Sequence, residues 1–367
     1  MMRIPFMSLR PGPDALAVRA AIDRVIESGW FILGPELTSF EEEFAAASGA
    51  RHAVGVGSGT DALALALRGL GIGPGDEVIT APLSATFSAL AIMMAGSTPV
   101  FADLDPDRLT MDPRATEAAI TPRTAALLPV HIYGQPADMP AFAAIARRHN
   151  LALVEDACQA HFATSAGRPV GTFGTAGAFS FYPTKNLGAL GDAGALITDD
   201  AALAERLRRL RNGGQTDRYH HIEFGVNSRL DELQAAVLRA RLPFVPEWTA
   251  RRRALAARYR HTLAGAPVVV PPECDPGHVY HLFPVRSPDR ALLQAHLADR
   301  GIGTLIHYPL PIPRQRALAA IAAAPCPVAD QVCAEVCSLP MHPMLTDADV
   351  DSVAAAVRAW RSSPAVR

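Results

Sequence analysis

Lysine is nearly absent from this chain. Lysine and arginine together number 34, and because Lys185 is the only lysine, the other 33 are arginine. The bias toward arginine by itself indicates little beyond a GC-rich coding sequence. It does make the single lysine informative, because a guanidinium stays protonated, whereas a lysine can supply the neutral amine that a Schiff base needs. Chance retention of Lys185 at a surface position is the alternative, and only its neighbourhood can decide between the two.

A charge excess of one sign and long apolar runs are also missing. The formal net charge is −2, so the chain offers no basic surface for nucleic acid or an anionic membrane. Apolar stretches such as 85–96 are too short to span a bilayer, and the first residues, with Pro5 among them, lack the apolar segment of a signal peptide. The composition therefore predicts a cytoplasmic enzyme without a nucleic-acid or membrane partner.

Cysteine is scarce and poorly spaced for metal binding. The five cysteines stand at positions 158, 274, 326, 333 and 337. No CxxC pair and no neighbouring pair of histidines completes a zinc shell. Cys333 and Cys337 would lie one helical turn apart, which favours a buried apolar helix face. We therefore expect no metal site.

Short apolar runs alternate with amphipathic stretches from about residue 52 onward. This alternation predicts an α/β fold, in which a mixed, mainly parallel seven-stranded sheet lies between helices. Helices are also expected at 13–30 and 35–49, before the sheet begins. Ligands of such sheets gather beyond the carboxyl ends of the strands. The predicted strands are 52–56, 77–79, 98–101, 125–130, 151–155, 177–181 and 194–198.

A second region follows the predicted helix 230–241 and Pro243. Its pattern indicates a smaller α+β unit with helices at 247–263, 290–300 and 346–360 and short strands at 268–270 and 280–285. We therefore divide the chain into two predicted domains. The large domain, 1–242, includes an N-terminal arm, 1–33, and the small C-terminal domain is 243–367.

Segment 52–60 is a strand that runs through glycines into a helix rich in alanine and leucine. Such a turn directs free backbone N–H groups and the positive end of the helix dipole at an anion, and Ser58 and Thr60 add hydroxyl donors. The spacing departs from the dinucleotide fingerprint, because Thr60 stands where that motif needs Gly or Ala. A phosphate site and an ordinary turn both remain open for this segment alone.

Segment 151–156 is an apolar strand that ends in two acids, the second of which is Asp156. A carboxylate at the end of a buried strand costs desolvation energy unless a cation meets it. A protonated pyridine ring would be such a cation, and enzymes that use pyridoxal phosphate (PLP) commonly place an aspartate there. A capping or salt-bridged aspartate is the alternative. Gln159 and His161 follow on the next turn, within reach of such a ring.

Segment 177–192 carries the strongest signal, because it contains Lys185. A predicted strand delivers Ser180, the following turn presents Lys185, and a glycine-rich stretch comes next. Burial would lower the pKa of the Lys185 amine and favour imine formation. The three segments together offer a phosphate site, an acid for the ring and an imine nitrogen, which argues against chance retention of the lysine.

The chain resembles the DegT/DnrJ/EryC1/StrS family of sugar aminotransferases, PLP enzymes with the aspartate-aminotransferase (type I) fold. The likeness covers nearly the whole length, and the FYPTKNLGALGD form of the lysine segment is most similar to members that act at C3 of dTDP-linked 3-keto-6-deoxyhexoses. The segments that carry it are GPELTSFEEEFA (34–45), HAVGVGSGTDALALALRGLGIGPGDEVIT (52–80), PVHIYGQPADM (129–139), VEDACQAH (154–161), FSFYPTKNLGALGDAGA (179–195), GVNSRLDELQAAVL (225–238) and GIGTLIHYPLP (301–311).

The resemblance implies a role for each matching position. Lys185 would form the internal aldimine and move protons, and Asp156 would pair with the ring nitrogen; these are the two expected catalytic residues. Asn227 would reach the phosphate of the neighbouring subunit, which implies a homodimer with shared sites. The implied cofactor-binding residues are Gly59, Thr60, Asp61, Ala85, Gln159, Ser180 and Asn227. The implied substrate-binding residues are Tyr219, His220, Arg229, His307 and Tyr308.

Two positions depart from the family pattern. Ala85 stands where the family usually has an aromatic residue stacked on the cofactor ring, and a helix would turn Phe87 away by about 200°. Pro313 stands where close relatives tend to have histidine. Both positions belong to the expected sugar side, so the substrate could differ from the usual one.

The resemblance predicts ping-pong transamination in two half-reactions. L-Glutamate would convert PLP to pyridoxamine phosphate and leave as 2-oxoglutarate, and the amine would then pass to a nucleotide-linked keto sugar. Amination of a keto-cyclitol or another keto sugar is an alternative within enzymes. A PLP-binding regulatory protein without turnover is an alternative of another class. A dehydratase of the same fold is disfavoured, because that branch replaces the imine lysine with histidine.

Overall fold

The computed structural model describes residues 3–321 and 323–361. Its central feature is a seven-stranded sheet in the order β1-β9-β8-β5-β4-β2-β3. The strands of this sheet are β1 His52–Val56, β2 Glu77–Thr80, β3 Thr98–Phe101, β4 Thr124–Leu128, β5 Ala152–Asp156, β8 Ala176–Ser180 and β9 Gly194–Thr198. Three short two-stranded sheets pair β6 Thr164–Ser165 with β7 Arg168–Pro169, β10 Gln215–Asp217 with β11 His220–His221, and β12 Phe283–Arg286 with β13 Val336–Leu339.

One strand of the large sheet runs against the others. β9 pairs antiparallel with both β1 and β8, and the remaining neighbours pair in parallel. The predicted α/β fold with a mixed, mainly parallel sheet is therefore confirmed. Strands β2 and β9 are buried along their whole length, on both faces of the sheet, as is usual for strands covered by helices on both sides.

Twelve α-helices accompany these sheets within the described residues. They are α1 Ala15–Ser28, α2 Pro35–Ser48, α3 Gly59–Gly69, α4 Phe87–Met94, α5 Pro113–Ala118, α6 Met139–His149, α7 Ala201–Leu210, α8 Glu232–Arg241, α9 Val245–Thr262, α10 Arg290–Ala298, α11 Pro327–Glu335 and α12 Asp347–Ala359. Among the described helices none has both the length and the apolar character needed to cross a membrane.

Helix α3 is the best-buried helix against the sheet. Eight of its eleven residues are buried, and it contacts β5, β8 and β9. Its run of Ala and Leu suits this position, because small side chains allow close approach and leucines fill the gaps between strands. Its first residue, Gly59, therefore lies beside the ends of β5 and β8.

The C-terminal part of the chain has a core of its own. Residues of α9, α10 and α12 pack with the antiparallel β12–β13 pair around Tyr259 and Phe283, and Ile4 joins the same cluster. Ile4 also forms a parallel bridge with Ile302. Residues of α11, in contrast, belong to the large core under the seven-stranded sheet. The division at residues 242 and 243 stays a prediction.

Three local expectations need correction. Residues 268–270 form no strand; a single bridge joins Val269 to Arg286, because β12 has β13 as its regular partner. The strand predicted at 280–285 is confined to β12. Cys333 and Cys337 are not one helical turn apart, because α11 ends at Glu335 and Cys337 lies in β13. Both thiols are buried.

Candidate active site

The Lys185 segment is a loop that leaves β8 and returns to β9. Backbone hydrogen bonds from Lys185 N to Tyr182 O at 2.8 Å and from Ala189 N to Phe181 O at 2.7 Å fold it into turns. The buried Asn186 side chain donates to the carbonyl of Val279 at 3.1 Å and so ties the loop to a segment about ninety residues later. These contacts hold Lys185 in one place.

The Lys185 side chain lies in an environment that favours its neutral form. Burial lowers the pKa of its amine, and the neighbouring Cys158 and Asp156 oppose this shift only in part. The amine makes no hydrogen bond to another residue that the structure describes. Burial, with Lys185 as the next cause, also lowers the pKa of His161 to about 3 and that of His307 to about 4. The imidazoles around the amine are therefore uncharged at neutral pH.

Asp156 ends β5, as the sequence predicts, and its carboxylate accepts hydrogen bonds at both oxygens. Ser88 Oγ donates to Oδ2 at 2.7 Å, and Cys158 N donates to Oδ1 at 3.2 Å. Only 5% of Asp156 is exposed, and no salt bridge joins it to another described residue. A carboxylate this buried needs a cation to offset its desolvation, and Lys185 is the nearest candidate in the chain itself.

The start of α3 packs closely against the end of β8. Ser58 caps the helix by accepting from Asp61 N at 3.1 Å, which leaves the N–H groups of Gly59 and Thr60 free of intrahelical partners. A Cβ built on Gly59 would stand 2.7 Å from Ser180 Cβ and 2.8 Å from Cys158 Sγ. The close approach of the helix start to Ser180 therefore depends on glycine at this position.

The carboxylate of Asp61 faces hydroxyl groups. Its Oδ2 accepts from Ser58 Oγ at 3.0 Å and from Ser228 Oγ at 2.8 Å, and Ser228 Oγ in turn accepts from Gly57 N at 2.9 Å. Asp61 thus joins the start of α3 to the segment before α8. Its role as a cofactor contact stays a prediction.

Gln159 is held between two tyrosines. Its Oε1 accepts from Tyr133 N at 2.7 Å, and its Nε2 donates to Tyr308 Oη at 3.1 Å. Burial raises the pKa of Tyr308 to about 12, so its hydroxyl keeps its proton. His307 Nδ1 contacts Ser338 Oγ at 3.0 Å. The structure thus brings Gln159, Tyr308 and His307 to the same side of Lys185.

Asn227 and Arg229 lie further out, on a surface pocket that Ser58 and Asp61 also line. Asn227 is exposed, and Arg229 donates to Asn212 Oδ1 at 3.1 Å. Ala85 is half-buried and Phe87 is 59% exposed, so Phe87 does not point inward to replace an aromatic at position 85. Pro313 belongs to a short 3-10 helix, Ile312–Arg314.

Tyr219 and His220 lie on the β10–β11 hairpin, away from Lys185 in the single chain. Tyr219 is 78% exposed, its φ of 80° lies in the left-handed region, and the Arg218 guanidinium stacks 5.3 Å from its ring centre. His220 pairs with Asp217 on the same hairpin. Neither residue contacts the Lys185 surroundings within the part of the chain that the structure describes.

Several contacting residues escaped the sequence analysis. Ser84, Ser88 and Tyr133 approach Asp156 and Gln159 from segments far away along the chain. No motif marks these serines, because they stand in an apolar stretch that reads as a helix start. Tyr133 carries a weak signal, since it lies in the PVHIYGQPADM segment and adopts a φ of 60°.

Comparisons with known proteins identify the family of the chain. Residues 16–358 match the DegT/DnrJ/EryC1/StrS aminotransferase family. The dTDP-3-amino-3,4,6-trideoxy-alpha-D-glucose transaminase of Streptomyces venezuelae is 51% identical over 366 residues, which cover 98% of this chain and 96% of that protein. The dTDP-3-amino-3,6-dideoxy-alpha-D-galactopyranose transaminase of Aneurinibacillus thermoaerophilus is 44% identical over 360 residues, with coverage of 97% and 99%. A crystal structure of S. venezuelae DesV in complex with a ketimine intermediate has a TM-score of 0.95 at 51% identity and covers 99% of this chain and 100% of that one.

The sheet, the lysine loop at its edge and the glycine-bounded helix start define a sugar aminotransferase of the PLP-dependent class. The chain belongs to the DegT/DnrJ/EryC1/StrS aminotransferase family. The resemblance seen in the sequence is thereby confirmed.

Proposed function

We propose that this chain binds PLP through Lys185 and transfers the amino group of L-glutamate to a nucleotide-linked keto sugar. The observation that carries the proposal is the position of its single lysine. Lys185 lies on the loop after β8, and burial lowers the pKa of its amine while Cys158 and Asp156 oppose the shift. A lower pKa raises the fraction of neutral amine, which is the form that bonds an aldehyde.

The residues around Lys185 suit PLP in shape and charge. The free N–H groups of Gly59 and Thr60 and the hydroxyl of Ser180 would hold the phosphate, since a helix start attracts anions. Asp156, which forms no salt bridge with any residue that the structure describes, would pair with the protonated ring nitrogen, and Gln159 would lie by the ring oxygen. The close approach of Gly59 to Ser180, which a Cβ would prevent, brings the free N–H groups and this hydroxyl together and supports the phosphate position.

When bound, PLP supplies an electron sink that weakens the C–H bond next to an amino group. The chain itself contributes the groups that hold and move protons. Lys185 would take the proton that leaves the donor carbon, because its pKa is below that of an ordinary lysine and the neighbouring imidazoles do not add positive charge. The carboxylate of Asp156 would keep a proton on the ring nitrogen. Gln159, fixed by Tyr133 and Tyr308, would orient the ring and help to exclude water.

The substrate proposal follows the relatives. Both transaminases named above are described as forming dTDP-linked 3-amino sugars, and we propose a dTDP-3-keto-6-deoxyhexose aminated at C3. Arg229, His307 and Tyr308 would contact the sugar or the donor carboxylate. Tyr219 and His220, exposed on their hairpin, would reach the nucleotide in a partner subunit. The half-buried Ala85 leaves a keto-cyclitol open as a second acceptor, and a panel of both acceptor classes separates the two.

Replacement of Lys185 tests the proposal directly. We expect wild-type protein supplied with PLP to develop a visible band, to change that band on addition of glutamate, and to carry a pyridoxyl group on Lys185 after borohydride reduction. Lys185→Ala should lose the covalent label and all turnover, and Lys185→Arg, which keeps the charge but not the nucleophilic amine, should fail in the same way. Wild-type protein that stays unlabelled with excess PLP would refute the assignment. A band that never responds to glutamate would favour the regulatory alternative.

We also propose a homodimer with shared sites, because Asn227 is exposed on a pocket next to the start of α3. An asparagine there would reach the phosphate site of the partner subunit. Mixing inactive Lys185→Ala protein with inactive Asn227→Ala protein should restore about a quarter to a half of the wild-type activity, since one site in each mixed dimer is then intact. Mixed dimers, verified by separate tags, without any recovered activity would contradict shared sites.

A further inference from the structure

We infer that Ser88 is a positioning residue for the reaction: its hydroxyl, oriented by Ser84, holds the Asp156 carboxylate in the orientation that the ring nitrogen of the cofactor requires. The inference rests on the proposed function, in which Asp156 pairs with that nitrogen. It assigns a role to two serines that no motif in the sequence marks.

The three side chains form a buried row of hydrogen bonds. Ser88 Oγ donates to Asp156 Oδ2 at 2.7 Å, and Ser84 Oγ lies 3.1 Å from Ser88 Oγ. The exposed fractions are 5% for Ser84, 1% for Ser88 and 5% for Asp156. Water therefore has little access to replace either hydroxyl.

The direction of both hydrogen bonds follows from proton counting. A serine hydroxyl has one proton, and an ionised carboxylate can only accept. Ser88 must donate its hydrogen bond to Asp156, so its oxygen accepts a hydrogen bond from Ser84. The row runs one way, from Ser84 through Ser88 to the carboxylate, and each donor strengthens the next by polarising it.

Ser88 is not explained by the helix on which it stands. It is the second residue of α4, and serines at helix starts usually accept from the backbone of their own helix. Here the N-cap position is Thr86, which makes no side-chain capping bond. The Ser88 hydroxyl instead points to a residue 68 positions away, on the neighbouring β5.

Two donors on two different oxygens fix the carboxylate plane. With Cys158 N on Oδ1 and Ser88 on Oδ2, rotation of the carboxylate would break both hydrogen bonds, and the remaining lone pairs point in set directions. Without Ser88 the carboxylate would lose one of the two hydrogen bonds that fix its plane, and it would be free to rotate away from the ring nitrogen.

The test compares four single variants of the holoenzyme. Ser88→Ala removes the donor, Ser84→Ala removes only the outer hydroxyl, and Ser88→Thr keeps a hydroxyl at the same position. Ser48→Ala is the matched control, because Ser48 is equally buried but its hydroxyl has no partner among the described residues. The readouts are the pH titration of the cofactor's visible band, the affinity for PLP, and the rate of the half-reaction with glutamate separated into kcat and KM.

We expect Ser88→Ala to shift the pH midpoint of the visible band and to slow the half-reaction by about 10- to 100-fold in kcat, from the usual worth of a hydrogen bond to a charged group. Ser84→Ala should act in the same direction but less strongly, Ser88→Thr should stay close to wild type, and Ser48→Ala should change nothing. The titratable groups near Asp156 are Cys158, Lys185 and Tyr308, and none of them is altered in these variants.

A folded Ser88→Ala protein with the wild-type band profile and rate would overturn the inference. If Ser88→Ala fails to fold, the Ser84→Ala variant becomes the test. A visible band that titrates in Ser84→Ala as it does in the wild type would then overturn the inference. Loss of stability with an unchanged titration and unchanged kcat would assign the serines a purely structural role and reject the positioning role. Wild-type protein that forms no band with PLP would instead refute the proposed function, so the two failures can be told apart.

Discussion

Gly59 shows how one residue can decide whether an anion fits. It begins α3, and the nearest atoms to a Cβ at this position are Ser180 Cβ and Cys158 Sγ, at 2.7 and 2.8 Å. Contacts this short force neighbours to move. The same Cβ would intrude between the helix start and the end of β8, where the proposed phosphate binds.

We therefore predict that Gly59→Ala weakens PLP binding by about 10- to 100-fold, on the basis of a usual overpacking cost of about 1–3 kcal/mol. Gly73→Ala is the control, since the nearest atom to its Cβ is Ala95 O at an ordinary 3.5 Å. Equilibrium titration of apoenzyme with PLP measures both. An unchanged dissociation constant for Gly59→Ala would show that the phosphate lies elsewhere.

Residue-scale features of the site divide into those that local sequence reveals and those that it does not. Lys185, Asp156 and the Gly59 segment could be predicted because each follows a strand in a recognisable pattern. Ser88 could not, because its partner Asp156 is 68 residues away and the intervening chain gives no register between α4 and β5. Tyr133 escaped for a different reason: it contacts Gln159 through its backbone N–H, and such a contact leaves no signature in the side-chain type.

At the scale of elements, Glu155 joins a strand to the loop beside it. This fully buried carboxylate accepts hydrogen bonds from three backbone N–H groups, at 2.7 Å from Gly171, 2.7 Å from Phe173 and 3.0 Å from Gly174. His131 Nε2 lies 3.2 Å from it. Because His131 Nδ1 accepts from Ala137 N, Nε2 carries the proton and donates to Glu155.

We predict that Glu155→Gln lowers the free energy of unfolding by about 2–4 kcal/mol. The amide replaces one of the two accepting oxygens with an NH₂ group, which would face backbone N–H donors and accept from none of them. The exposed Glu205→Gln, which breaks only an ion pair with Arg209 on α7, should cost less than about 0.5 kcal/mol. Urea unfolding of the two apoenzymes provides the comparison. Equal stabilities would mean that the loop at 171–174 does not depend on this carboxylate.

Element boundaries were predictable where strands are apolar and bounded by polar or glycine residues. Strands 52–56, 98–101 and 194–198 agree with β1, β3 and β9 at both ends. The prediction failed near 268–270, where apolar valines read as a strand but the sheet partner is already taken by β13. It also failed at α11, because a helix that passes directly into a strand at Val336 leaves no Gly or Pro to mark the change.

At the scale of the whole molecule, buried histidines link folding to pH. Burial is the first cause that lowers the pKa of His161 and His278 to about 3 and that of His307 and His342 to about 4. In the unfolded chain each would titrate near 6.5. The unfolded state therefore binds more protons than the folded state between these values, and stability is lost as the pH falls through this window.

We predict that these histidines give the free energy of unfolding of the apoenzyme almost no pH dependence above pH 7. Between about pH 6.5 and 4 they should make it fall steeply. His161→Phe should remove about 2 kcal/mol of the loss between pH 7 and 5, because a phenyl ring cannot take up a proton. The exposed His261→Phe should leave the slope unchanged. Parallel slopes for wild type and His161→Phe would show that His161 is protonated in the folded state.

The scarcity of lysine has a practical consequence for surface chemistry. Reagents that acylate or cross-link ε-amines have one side-chain target in this chain, and it lies in the proposed catalytic pocket. Amine-directed fluorophores, resins or fixatives would therefore either spare the protein's side chains or inactivate it, and a bound PLP should protect it. Immobilisation through a side chain without loss of turnover has to use another residue type, and the fraction of protein labelled at Lys185 itself would count the pockets that are open.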